Sequence, residues 1–347
     1  MSGIDQQLQR LIESESRRPH THGVFLGVQS ADGRVNFRGA AGDAAPDCPY
    51  FIASVTKMYT VAVLMGLADE RRLDLDAPIA AHLPHDLLDG IHVHKGTDHS
   101  RRLTVAQLIH QTSGLPDYFE GGFAEDFKQN RDRAYSVADA LALARRKPPA
   151  AAPDSGRSHY SDTNYQLLGA IVEAVTDQPL ANAFQHRIFD QLGLADTYLY
   201  DCAHPRPVEP LPLYYKSTQL SLPLALSSER GTGGIVSTLA DSLRFLRAYF
   251  DGELFDPAHF ARMHDWNALF FPMQYGYGLM RFKLPSWMTL FRETPELIGH
   301  SGSTGSFAFY APREQVYLAG TFNQFDKPSR PFNVMLRVVA ITSRTAS

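Results

Sequence analysis

The sequence predicts an α+β fold: one antiparallel sheet built from both termini, flanked by helices, with a mainly helical lobe inserted. Three observations predict it. Apolar runs around an Asp-Gly pair near the amino end read as a hairpin. A strand-turn-strand pattern occupies the last third. Between them, helical periodicity and helix caps dominate. The 347 residues read as a single two-lobed unit, with the sheet lobe about 1–50 and 225–347 and the helical lobe about 51–224.

Ile4, Leu8, Leu11 and Ile12 share one helical face, so the chain opens with a short amphipathic helix. Val24 to Val28 and Val35 to Phe37 flank Ala31-Asp32-Gly33, the hairpin. Met58 to Ala68 is apolar nearly all round, the mark of a buried helix, and it begins near Ser54. Leu73 to Pro78 is a loop. Thr104-Val105-Ala106-Gln107 is a capping box that opens a helix running into His110 to Tyr118. Prolines keep Lys147 to Pro153 out of helix. Helical periodicity covers Leu167 to Val175, and a further helix runs to Phe189 before Leu192-Gly193-Leu194 breaks it. Ala203 to Pro223 reads as a long surface connection. Gly231 to Val236 leads to another helix start at Ser237-Thr238-Leu239-Ala240-Asp241. Tyr275 to Met280 reads as a strand, as do Ser306 to Tyr310 and Val316 to Phe322, and Asn333 to Ile341 as a closing helix.

Composition excludes several functions. The chain is 44% hydrophobic and 20% charged, with a net charge of −4, so nothing suggests a nucleic-acid partner. No apolar run approaches the roughly 18 residues that span a bilayer. The amino end lacks a basic region followed by an apolar one, so no signal peptide is expected and the location is read as cytoplasmic. Cys48 and Cys202 are too few for a disulfide framework and lack metal spacing. His92, His94 and His99 lie in a polar stretch without a fourth ligand at a typical spacing, so a solvated loop is expected there and no metal or cofactor. His110, at a helix end, reads as structural.

The chemistry points to Ser54 and Lys57. Three apart at a helix start, they share one face and place a hydroxyl beside an ammonium. The helix N-terminus adds unpaired N–H groups and the positive end of its dipole, suited to an oxyanion. Ordinary composition yields about one Ser-x-x-Lys by chance in such a chain. This is the only one here, and what stands downstream decides its meaning.

Five stretches carry a resemblance: Phe51 to Lys57, Leu108 to Tyr118, Tyr160 to Gly169, Gly233 to Asp241 and Gly299 to Gly302. In order and spacing they resemble the serine β-lactamase-related hydrolases, in particular the class C β-lactamases, D-alanyl-D-alanine carboxypeptidases and related esterases. The resemblance implies the β-lactamase/transpeptidase-like fold, with the site between sheet and helical lobe, and acyl transfer through a serine ester. By that match Ser54 is the nucleophile, Lys57 the motif lysine and Tyr160 the tyrosine that helps take the serine proton. His300-Ser301-Gly302 stands where β-lactamases carry Lys-Thr-Gly. The N–H groups of Ser54 and Ser303 would form the oxyanion hole.

A tyrosine of ordinary pKa near 10 is a poor base at neutral pH, and a neighbouring ammonium would lower that value. Lys57 and Tyr160 are therefore expected to titrate as a pair. Gly233 and Gly234 read as permissive backbone beside the site. Two departures from the family pattern bear on substrate. Asp162 replaces the usual asparagine of the tyrosine motif, so an amide donor is lost and pairing with Lys57 becomes available. His300 replaces a lysine, so a fixed positive charge is lost. Gly299 to Ser303 imitates the nucleophile elbow of α/β-hydrolases, but Ser303 stands where that motif has glycine and no histidine follows His300, so Ser301 is not expected to be a nucleophile. The reading favours an esterase or amidase on a small acyl substrate. A carboxypeptidase or weak β-lactamase is the alternative, and a catalytically idle binding relative is the alternative from another class.

Overall fold

The computed structural model describes residues 2–289, 294–327 and 329–343. Its main sheet has eight antiparallel strands: β1 (Gly23–Ser30), β2 (Asn36–Gly42), β3 (Asn267–Phe270), β4 (Met273–Tyr275), β5 (Met280–Phe282), β6 (Leu297–Ser301), β7 (Phe307–Ala311) and β8 (Val316–Thr321). Their spatial order is β3-β4-β5-β6-β7-β8-β1-β2. The two ends of the chain meet where β1 pairs with β8, Phe25 opposite Thr321 and Ser30 opposite Val316. The hairpin expected around Asp32-Gly33 joins β1 to β2, with Gly33 at a φ of +75°.

Five longer helices matter here: α1 (Gly3–Ser16), α2 (Thr56–Asp69), α3 (Asp162–Thr176), α4 (Leu239–Asp251) and α5 (Arg330–Ser343). Strand alternation sends successive side chains to opposite faces. Val24, Leu26 and Val28 meet Leu8, Leu11 and Ile12 of α1 and Val334, Met335 and Val338 of α5. Phe25, Tyr317 and Ala319 point the other way, into the core shared with α2, α4 and the helical lobe. A side chain on Gly27 would come within 2.9 Å of Leu243 Cδ1, so this glycine lets α4 lie close on the sheet.

Most expected elements are present, with four differences. The stretch from Tyr275 to Met280 is not one strand: Tyr275 ends β4, Met280 opens β5 opposite it, and residues 276–279 turn between them with Gly278 at a φ of +71°. Helix α3 begins at Asp162, five residues before the apolar periodicity at Leu167, because its first turn buries polar side chains rather than apolar ones. The connection from Ala203 to Pro223 carries a short hairpin of Tyr214–Tyr215 and Thr218–Gln219. A second sheet of three strands, Tyr50–Phe51, Ile235–Ser237 and Tyr198–Leu199, joins distant segments. Strands of two or three residues are too short to leave an alternation in the sequence. Among the described residues no helix is long and apolar enough to cross a membrane.

Candidate active site

The strand Tyr50–Phe51 delivers the chain to a tight turn at Ala53–Val55, which runs directly into α2. Ala53 sits at a φ of +45°, a conformation uncommon for a residue with a Cβ and frequent at functional sites. Ser54 follows it and lines a cleft of about 550 Å³. The end of β6 closes the opposite wall with Ser301, Gly302, Ser303 and Thr304. Gly302 makes this approach possible, because a Cβ there would lie 2.7 Å from Ala53 Cβ and closer still to Ser306 Oγ. Ser306 Oγ donates to the Ile52 carbonyl at 2.6 Å and ties the two walls together.

Lys57 is fully buried in the first turn of α2. Its Nζ donates to Ser54 Oγ at 3.1 Å and to the Thr232 carbonyl at 2.7 Å. The third contact is an ion pair with Asp162 Oδ1 at 2.6 Å. An ammonium has no acceptor, so Lys57 only donates to Ser54 Oγ and the Thr232 carbonyl, while its charge is paired with Asp162. Removing either member of a buried pair leaves a charge uncompensated, at a cost of about 3–5 kcal/mol.

Tyr160 lies on the other side of Ser54. The Ser54 side chain acts on its hydroxyl, and its ring centre is 5.3 Å from Lys57 Nζ. The expected lowering of its pKa by Lys57 is not what the structure gives. Burial pushes the phenol well above its usual range, and the negative charge of Asp162 adds to this, with Asp117 and Glu229 contributing in the same direction. The positive charge of Lys57 is matched by Asp162. Tyr160 is thus a neutral phenol at neutral pH. Because Lys57 can only donate, the hydrogen of Ser54 is free to point at the Tyr160 oxygen.

His300 does not line the cleft, although the residues after it do. Its ring is fully buried, edge-on to Tyr275 and 6.2 Å from the Tyr160 ring. Nδ1 meets the Ser301 carbonyl at 2.8 Å, so Nδ1 carries the hydrogen. Burial, and then the charge of Lys57, hold its pKa down to about 3. His300, placed at the site by the resemblance, thus stands as a neutral ring behind the cleft wall.

This has a consequence for acid stability. The unfolded chain takes up a proton at this histidine below about pH 6.5, and the folded chain refuses it until about pH 3. Stability from this group is complete above the upper value and is lost as pH falls toward the lower one. His300→Gln is expected to flatten the acid limb of the stability curve by up to one proton's slope in that window. Denaturant unfolding of both proteins across the window checks it, and an unchanged slope would remove the buried-neutral assignment.

The chain matches the family model described as Beta-lactamase over residues 8–340. It belongs to the beta-lactamase superfamily of serine hydrolases. Among curated proteins it is 31% identical over 187 residues to Protein flp of Staphylococcus aureus, covering 50% of this chain and 34% of that protein. The chain thus spans about a third of the length of that relative. Among solved structures it is similar to a D-stereospecific amidohydrolase from Streptomyces sp., with 28% identity, a TM-score of 0.76 and coverage of 92% of this chain and 94% of the other. It is also similar to the D-amino acid amidase from Ochrobactrum anthropi SV3, with 26% identity, a TM-score of 0.75 and coverage of 91% and 92%.

The segments that resemble this superfamily are laced together behind the cleft. Pro116 O accepts from Ser161 Oγ at 3.1 Å and from Thr163 Oγ1 at 2.7 Å. Ser113 Oγ donates to Asn164 Oδ1 at 2.7 Å, and Gln111 Oε1 accepts from Ser161 N at 2.9 Å. The stretch from Leu108 to Tyr118 is thus a clamp on the Tyr160 turn. His110 serves a structural hydrogen bond, Nε2 to the Asp265 carbonyl at 2.7 Å. His92 is fully buried rather than solvated, its Nε2 bonded to the Ala151 carbonyl at 3.1 Å. Among the described residues no group of His, Cys, Asp or Glu could hold a metal ion.

Sequence reasoning missed three acids of the cleft, Asp117, Glu120 and Glu229. Asp117 accepts from the backbone N–H groups of Phe119 at 3.0 Å and Asp162 at 3.1 Å. Burial and the charge of Asp162 nonetheless drive its pKa well above the usual range. Glu229 is buried behind Gly233, where a side chain would come within 2.8 Å of its Oε2. Asp117 lies within the Leu108 to Tyr118 stretch, where its carboxyl is a sequence signal for a second acid. Glu229 precedes Gly231-Thr232-Gly233 with no spacing to mark it.

Proposed function

We propose that the chain hydrolyses small acyl esters and amides through an acyl-enzyme on Ser54, with esters preferred. Ser54 Oγ attacks the substrate carbonyl carbon while its hydrogen passes to the Tyr160 oxygen. Tyr160, a neutral phenol, releases its own hydrogen to the leaving group in the same event. Lys57 holds Ser54 Oγ in place and offsets the negative charge that develops there. The backbone N–H groups of Ser54 and Ser303 receive the oxyanion. A water molecule then replaces the leaving group and reverses the transfers to free Ser54.

The observation that carries the substrate reading is the scarcity of available cations in the cleft. Asp117, Glu120, Asp162 and Glu229 line it. Lys57 is committed to Asp162, and the imidazole of His300 is neutral and buried. Among the described lining residues only Lys128, exposed at the rim, brings a further cation. A substrate carboxylate of the kind carried by β-lactams meets little attraction. Asp162, as a carboxylate, also cannot donate to a substrate amide carbonyl. Esters have the better leaving group and ask less of Tyr160 as a proton donor.

A second reading is supported by the likeness to the D-stereospecific amidohydrolase and the D-amino acid amidase. An acid-lined cleft suits a substrate bearing an ammonium, and D-amino acid amides carry one. The test is kcat/KM on matched short-chain p-nitrophenyl esters, anilides, D- and L-amino acid amides and nitrocefin. Esters are expected to lead, and Asp162→Asn to narrow their lead over amides. D-amino acid amides overtaking the esters would establish the second reading. Nitrocefin turning over faster than a short-chain ester would refute both.

A further inference from the structure

The hydrogen bonds around Glu229 fix where its proton is. Gln166 Nε2 donates to the Ser228 carbonyl at 2.8 Å, which orients the amide, and its second hydrogen goes to Tyr118 Oη at 3.3 Å. The Tyr118 hydroxyl hydrogen is then spent on Glu229 Oε1 at 3.0 Å. On the other side, Thr232 Oγ1 lies 2.5 Å from the Glu229 main-chain carbonyl and 2.8 Å from Glu229 Oε2. The Glu229 carbonyl also accepts from Thr232 N at 2.8 Å, but an oxygen–oxygen contact of 2.5 Å needs a hydrogen between its atoms, and since a carbonyl cannot donate, the single hydroxyl hydrogen of Thr232 is drawn to it. The remaining short contact, Thr232 Oγ1 to Glu229 Oε2, then has a hydrogen only if the carboxyl group supplies it.

The same threonine holds the lysine. The Thr232 carbonyl accepts from Lys57 Nζ at 2.7 Å. We infer that Glu229 is a positioning residue that carries a proton in the resting enzyme and, through Thr232, fixes the Lys57 ammonium beside Ser54. The inference rests on the acyl-enzyme reading above and deepens it. The charged and titratable groups that face Glu229 are Asp162 and Lys57, with Tyr118 on its own hydrogen bond and Tyr160 across the cleft. Burial and the charge of Asp162 bring its pKa up to about 7, in agreement with the hydrogen count.

Ionisation would undo this arrangement. The Thr232 hydroxyl would be drawn from the main-chain carbonyl to the carboxylate. A second negative charge would also stand near Tyr160 and raise its phenol further, which opposes transfer from Ser54. Activity should therefore fall as Glu229 loses its proton. Glutamine reproduces the neutral acid: its amide N–H can donate to Thr232 Oγ1 and its oxygen can accept from Tyr118.

The test follows the rate of Ser54 labelling by a fluorophosphonate, and kcat/KM on a short-chain ester, against pH in wild type, Glu229→Gln and Glu229→Ala. Wild type should lose roughly tenfold on going from pH about 7 to well above it, Glu229→Gln should lack that fall, and Glu229→Ala should be roughly tenfold slower throughout. A fall that persists unchanged in Glu229→Gln, or a Gln variant as slow as Ala at every pH, overturns the inference. Infrared difference spectra of wild type above and below neutral pH stand independently of the Glu229 variants. They should show the band of a protonated buried carboxyl lost around neutral pH, also in Asp117→Asn, which removes the other raised acid of the cleft; no such loss in Asp117→Asn overturns the inference even if the Glu229 variants do not fold. A wild type that never labels at Ser54 would instead refute the acyl-enzyme reading itself.

Discussion

Ser54→Ala is expected to abolish labelling by a serine-directed phosphonate and to lower kcat on a short-chain ester by roughly 10⁴-fold or more. The size follows from the geometry. Ser54 Oγ accepts from Lys57 Nζ at 3.1 Å and shares the cleft wall with Tyr160. Without it, the Lys57–Tyr160 pair has no nucleophile to act on. The fold should survive, because Lys57 keeps its contacts to Asp162 and the Thr232 carbonyl. Thermal unfolding within a few degrees of wild type, measured beside activity, separates lost chemistry from lost structure. The rival site is Ser301, which faces the same cleft. Its hydroxyl donates to Met280 Sδ at 3.4 Å, a weak acceptor that offers no base. Peptide mapping of the adduct should find Ser54, and an adduct on Ser301, or undiminished labelling of the alanine variant, would sink the mechanism.

The sequence was legible where local pattern and final environment agree. The Asp-Gly hairpin, the capping box at Thr104 and the apolar α2 each have a local cause and appear as expected. Ser54 and Lys57 were readable because three residues on a helix are neighbours whatever surrounds them. Electrostatics was not readable. The Tyr160 phenol is pushed up rather than down by burial first and then by Asp162, with Asp117 and Glu229 adding to this when ionised, three acids from separate segments. Two of those acids lie more than forty residues from it in the chain. Asp162 as a partner for Lys57 was an option in the sequence, and the 2.6 Å contact makes it the fact that reorganises the site. The burial of His300 was likewise hidden, since a strand residue may face either side and only the packing of Tyr275 and Tyr160 chooses.

Lys57 and Tyr160 are expected to act as one unit, so their losses should not multiply. Each acts on the same oxygen and each fails without the other. Lys57 holds Ser54 Oγ but, as an ammonium with no acceptor, cannot take its proton. Tyr160 can accept that proton but depends on Lys57 to direct the Ser54 hydrogen toward it. Tyr160→Phe and Lys57→Ala should each lower kcat by roughly 10³-fold, and the double variant by little more. Lys57→Ala will also destabilise the protein by about 3–5 kcal/mol, because Asp162 is left buried without its partner. Lys57→Ala with Asp162→Asn removes both charges and should recover much of that stability without recovering activity, which keeps the two effects apart. Rates are therefore compared per folded molecule, from active-site-independent concentration and unfolding curves. Losses that multiply to roughly 10⁶-fold in the double variant would mean that Lys57 and Tyr160 serve separate steps, and the single transfer from Ser54 to Tyr160 would have to be abandoned.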